Sequence, residues 1–186
     1  MCIKKFLVCA VMFATIFSTC NAAQVRLSDL GAESFLSKMT SMLQTDSMKK
    51  ICPIAITGLI RDENSDMPDY NLTAWSALFA KDMESPPEGF VVFLTDSAGC
   101  VYSTKFVFKI TSDWADKMQA LLMSTLWTLD FTPQEAAQFI KGGKNENGVY
   151  SSDISISRQN KTYVLIMTKV NDDSVVVLLL ATDGRR

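Results

Sequence analysis

The chain has 186 residues, 48% hydrophobic and 20% charged, with 18 basic and 20 acidic side chains and no histidine. That size and balance describe one globular domain plus a targeting segment, not a disordered tail. The absence of a basic block argues against a nucleic-acid partner. The absence of imidazole excludes Ser-His-Asp and Cys-His catalysis, histidine metal ligation and a histidine pH switch.

The N-terminus has the three parts of a secretory signal: Lys4 and Lys5, an apolar run over residues 6–17, and small residues up to Ala22. Twelve apolar residues are few for a membrane-spanning helix, which needs about 20. Cleavage after Ala22 and export to the periplasm or cell exterior are therefore expected. Residues 23–182 then form one domain, and residues 183–186 a frayed tail. Without its first 22 residues the chain keeps sixteen basic and twenty acidic side chains, a net charge of −4. Cys20 offers a second reading, a lipoprotein acylated on that cysteine, although Phe17-Ser18-Thr19 is a poor context for it. Membrane attachment is expected only if Cys20 is acylated or the signal is retained.

Beyond the signal two cysteines remain, Cys52 and Cys100. An even pair in an exported protein suggests a disulfide, worth about 4 kcal/mol in the loop-entropy picture. Two separate buried thiols are the alternative.

Residues 31–44 read as an amphipathic helix, with Ser28 or Asp29 as cap, Glu33 in the first turn, and Leu36, Met39 and Leu43 at helical spacing. Met39, Met42 and Met48 near the start of the domain form a candidate docking face. Residues 51–60 read as a strand broken by Pro53 and Gly58, residues 61–69 as an acidic loop, and residues 70–80 as a second strand. Residues 90–95 and 100–110 form a hairpin about the Asp96-Ser97-Ala98-Gly99 turn. Strict alternation places Cys100, Tyr102, Thr104, Phe106, Phe108 and Ile110 on a buried face. Val101, Ser103, Lys105, Val107 and Lys109 then fall on a solvated one. Lys105 on an open face keeps its charge, so it cannot serve Ser103 as a catalytic base.

Ser112 opens the next helix, whose apolar stripe is Trp114, Met118, Leu121, Leu122 and Leu129. Thr132-Pro133-Gln134-Glu135 combines a capping box with proline at the first helical position, predicting a short second helix that ends at Gly142-Gly143. Residues 149–158, 162–170 and 175–181 are a three-stranded meander. The last of these, continuously apolar, belongs at the centre of a sheet. FVVFLTDSAG and VVVLLLATDG resemble each other, hinting at two helix-plus-meander halves. The expected fold is α+β: one antiparallel sheet of six to seven strands with two or three helices on one face.

No phosphate loop, CxxC pair, GxSxG elbow or calcium-loop pattern is present. No cofactor is expected. The leading expectation is an exported, non-enzymatic domain that binds a protein or an apolar ligand. The alternatives are a hydrolase or glycan-active enzyme using the acids of residues 62–69, and a lipoprotein subunit of an envelope assembly.

Overall fold

The computed structural model describes residues 23–183. Their elements run β1 (Gln24–Val25), α1 (Ala32–Leu43), α2 (Asp46–Ile51), β2 (Ala55–Ile56), β3 (Ile60–Arg61), β4 (Thr73–Ala80), β5 (Gly89–Thr95) and β6 (Val101–Lys109). There follow α3 (Trp114–Thr128), α4 (Pro133–Lys141), β7 (Lys144–Glu146), β8 (Val149–Ile156), β9 (Lys161–Asn171) and β10 (Ser174–Asp183). The fold is α+β, built on a single antiparallel sheet of ten strands in the order β2-β4-β5-β6-β10-β9-β8-β7. β1 adds to β10 and β3 to β4.

The sheet is larger than the six to seven strands expected. Six of its strands are long, and β1, β2, β3 and β7 have only two or three residues. Pieces that short show no period of two, so hydrophobic patterning cannot mark them. Residues 51–60 are not one strand. The helix α2 ends at Ile51, with Asp46 in its first turn and Lys49 and Lys50 in its last, as the helix dipole favours. β2 and β3 then follow as two fragments. Between Ile56, opposite Phe79, and Ile60, opposite Ser76, the register moves by one residue, so this arm bulges around Gly58.

The sheet order reads alike from both ends, with a short edge strand and then a three-stranded meander, and the inner strands of the two meanders, β6 and β10, pair at the centre. Each meander is preceded by a longer helix and a shorter one, α1 and α2 in the first half, α3 and α4 in the second. The two similar sequence stretches do not occupy matching places. FVVFLTDSAG supplies β5, the middle strand of its meander, whereas VVVLLLATDG supplies β10, the last of its own.

One core holds the helices against one face of the sheet. Phe35, Met39 and Leu43 of α1 and Leu121 and Leu126 of α3 share it with Phe79, Phe93, Phe106, Phe108, Tyr163, Val177 and Leu179. Phe35 meets Phe93 edge-on at 5.7 Å, and Phe131 meets Tyr163 at 4.9 Å. A smaller cluster, Leu72, Ala74, Val92 and Leu94 with Phe90 and Tyr102, lies on the other face.

The hairpin alternation is corrected by a bulge. Leu94 pairs with Ser103 but Thr95 pairs with Val101, so Tyr102 is the extra residue. Val101 therefore joins the main core, while Tyr102 packs with the opposite cluster. Ser103 is 1% exposed, not solvated, and Lys105 is half-buried. Helix starts differ too. α1 is capped by Gly31 and α3 by Asp113, neither with a side-chain cap bond, while Ser28 Oγ accepts instead from the Leu30 amide at 3.2 Å. The capping box of α4 is present as expected: Glu135 N donates to Thr132 Oγ1 at 3.2 Å and Thr132 N to Glu135 Oε2 at 2.8 Å.

Candidate functional site

A groove of about 990 Å³ runs along α1. One wall is the side of α1 turned away from the core, with Glu33, Ser37, Thr40 and Ser41 at helical spacing. The other wall is the bulged arm from Ile56 to Leu59, and Trp75 of β4 lies between them. The arm is pinned to the sheet at Thr57. Its amide donates to Leu78 O at 2.9 Å, and its hydroxyl accepts from Leu78 N at 3.0 Å. The extra residue beyond Thr57 keeps Leu59 out of regular pairing and at the groove. Gln44 Nε2 reaches Ile54 O at 3.5 Å at one end, and the other end reaches Gly31, bridged to Cys100.

Leu36, Ile56, Leu59 and Trp75 supply the apolar surface of the groove, and all four pack against the main core. Hydroxyls form its rim, and Ser41 Oγ already donates to Ser37 O at 2.9 Å. Trp75 is held by Arg61, whose guanidinium stands 5.8 Å from the ring centroid. Arg61 is fixed in turn by Asp66, with contacts of 2.6 and 2.5 Å, and donates to Ala74 O at 2.9 Å. Hydrogen bonds from Arg61 hold the Asp66 carboxyl below the usual carboxylate range. Asp62 accepts from Ser65 at 2.7 Å. The acidic loop is thus bonded within itself and to Trp75's support. Among the described residues no three cysteine or acidic side chains are grouped to hold a metal ion.

A smaller cleft of about 420 Å³ lies where the halves meet, among Asp29, Lys38, Asp130, Lys161 and Tyr163. Its lysines are engaged: Lys38 donates to Thr128 O and Asp130 Oδ1, both at 3.1 Å, and Lys161 reaches Leu27 O at 3.5 Å. Burial pushes the Tyr163 phenol up to about 12, and its hydroxyl donates to Gln159 Oε1 at 2.5 Å. Elsewhere Lys117, 3% exposed, sits 2.7 Å from both Glu88 and Asp113. Burial works to lower its pKa, but the bonds and charge of those two acids outweigh it and raise the value.

The methionines singled out in the sequence separate. Met39 is 0% and Met48 8% exposed, both in the core, and only Met42 is half-buried at the surface, beside Trp127 and Pro133. Cys52 and Cys100 are free thiols, which corrects the disulfide reading. Cys52 follows α2 near the Ala80 end of β4, since Ala55 pairs with Ala80. Cys100 precedes Val101, which pairs through Thr95 with Thr73 at the other end of β4. Eight strand residues span roughly 25 Å, against the 7 Å limit for bridged α-carbons. Cys20 lies outside the described residues.

The groove residues Ile56, Leu59 and Trp75 were not singled out by sequence reasoning. Residues 70–80 do read as a strand, but only the bulge around Gly58 and the placement of α1 give Trp75 a groove to line. Among the described residues no helix is long and apolar enough to cross a membrane. Comparison with protein families, curated proteins and solved structures finds no match.

Proposed function

We propose that the protein is an exported, non-enzymatic binding domain whose site for a protein or apolar ligand is the groove between α1 and the β2–β3 arm. The observation that carries this reading is the groove's make-up: about 990 Å³ lined by Leu36, Ile56, Leu59 and Trp75, with hydroxyls at the rim. Such a surface offers burial of apolar area and a few orienting hydrogen bonds, the usual character of a binding pocket. A carboxylate enzyme needs two acids converging on one cavity, and among the described residues Glu33 is the one acid lining this groove. The export element of the reading rests on residues 1–22, and mass spectrometry of the secreted N-terminus tests it directly.

The binding element is tested by affinity capture from an envelope extract, followed by native mass spectrometry, with wild type and Leu59→Ser in parallel. A protein or lipid held by wild type and released by the variant is the expected result. Equal capture by both, or none by either, counts against the groove.

A further inference from the structure

The two halves differ in how their outer meander strands are covered. In the second half, α4 lies on β8: Ser152 Oγ donates to Phe139 O at 2.5 Å, and the Tyr150 hydroxyl donates to Ile140 O and accepts from Gly143 N at 3.2 Å. Tyr150, near the start of β8 and facing the helices, is thereby closed over by the last turn of a nine-residue amphipathic helix. In the first half the corresponding outer strand is β4, and its helix-side aromatic near the start is Trp75. The helix in the place of α4 is α2, six residues long, and its Met48, with Cys52 just after it, is buried in the core. Among the described residues no helical turn closes over Trp75, which lines the open groove instead.

We infer that this groove seats a short amphipathic helix from a partner protein, apolar on one face and basic at its rim, in the manner that α4 sits on β8. The inference rests on the binding reading above and specifies its ligand class. Length supports it. The α1 wall extends from Gly31 to Gln44, and at 1.5 Å per residue a helix of about twelve to fourteen residues matches that span. Leu36, Ile56, Leu59 and Trp75 present the apolar strip into which side chains at i, i+3, i+4 and i+7 dock. Charge supports the basic rim. Glu33 lines the groove, and its described lining holds no lysine or arginine. The nearby cations are neutralised within the protein, Arg61 by Asp66 and Lys38 by Asp130.

The test uses the purified full chain and a fluorescein-labelled Leu/Lys peptide of about twelve residues with helical apolar spacing. Two controls accompany it, the same peptide with glutamate for lysine and a scrambled Leu/Lys sequence. Binding is read by fluorescence anisotropy and by displacement of the apolar dye ANS. The expected result is saturable binding of the Leu/Lys peptide and at least tenfold weaker binding of both controls. Leu59→Ser should weaken it at least tenfold, Glu33→Gln severalfold, and added salt progressively. Far-UV circular dichroism establishes that both variants remain folded. If ANS binds and is lost in Leu59→Ser while no peptide competes, the helix inference fails and an apolar-ligand groove stands. If neither peptide nor ANS binds in a Leu59-dependent way, both readings fail. Equal binding of basic and acidic peptides overturns the basic rim.

Discussion

Arg158 grips Glu135 with two guanidinium nitrogens, one on Oε1 and the other on Oε2 at 2.8 Å, and that second nitrogen also donates to Asp130 O at 2.6 Å. The first turn of α4 is thereby tied to the turn that follows β8. With Arg158 foremost and the Thr132 amide next, the Glu135 carboxyl is lowered from 4.5 to about 2. A depressed carboxyl contributes stability that is present above its unfolded pKa and lost as pH falls through the folded one. Wild type should lose this contribution between about pH 4.5 and 2. In Glu135→Gln that part of the acid dependence should be absent, as urea unfolding at stepped pH will show. Thr132→Ala should cost about 1 kcal/mol at neutral pH through the lost cap.

Lys117 is the most consequential charge in the core. Lys117→Met leaves Glu88 and Asp113 without their shared cation. Because Asp113 is half exposed and Glu88 reaches some solvent, water takes up part of the lost interaction, and the cost should be about 1–3 kcal/mol. Adding Glu88→Gln should recover part of the loss, because Glu88 is the less exposed of the two acids. Denaturant midpoints of the single and double variants measure both effects.

Thr104 is 0% exposed, and among the described residues its hydroxyl has no hydrogen-bond partner. Thr104→Val keeps the shape and removes an unsatisfied polar group. The variant should therefore be more stable than wild type, by about 1 kcal/mol. A lower melting temperature would show that the hydroxyl is paired in solution.

Gly89 leaves no room for a side chain. A β carbon there would stand 2.2 Å from Val107 O and 2.3 Å from the Phe79 ring. Gly89→Ala must displace the ring or the β5–β6 ladder, and overpacking of this kind costs about 1–3 kcal/mol. Phe79→Leu in the same chain should relieve part of that cost, which thermal unfolding of the pair will reveal.

Alkylation before reduction, followed by peptide mass mapping, should find both Cys52 and Cys100 modified in the unfolded chain. In the folded protein Cys100 should react first. It is half-buried, its thiol donating to Asp29 O at 3.4 Å, whereas Cys52 is in the core and burial raises its thiol pKa. A disulfide-linked peptide pair would contradict the structure.

Features specified within a few residues could be read from the sequence. The α4 capping box, the Asp96–Gly99 turn with Gly99 at φ 77°, and the helical stripe of α3 need only neighbours close in the chain. The apolar run of residues 175–181 placed β10 at the sheet centre, between β6 and β9. With the turn residues that bound the other apolar runs, these signals were enough for the α+β class and the six long strands.

Other features depended on which segments meet. The Tyr102 bulge, which brings Val101 into the core and buries Ser103, exists only because β5 and β6 shift register against each other. The distance between Cys52 and Cys100 follows from strand pairing, and composition carries no distances. Trp75 becomes part of a groove because the arm bulges at Gly58 and α2 stops short of it, two facts about length and register that no single residue encodes. Sequence alone determined what kinds of surface this protein could make, since side-chain chemistry is local. Tertiary structure decided which of those surfaces stayed open, since coverage depends on what packs from far along the chain.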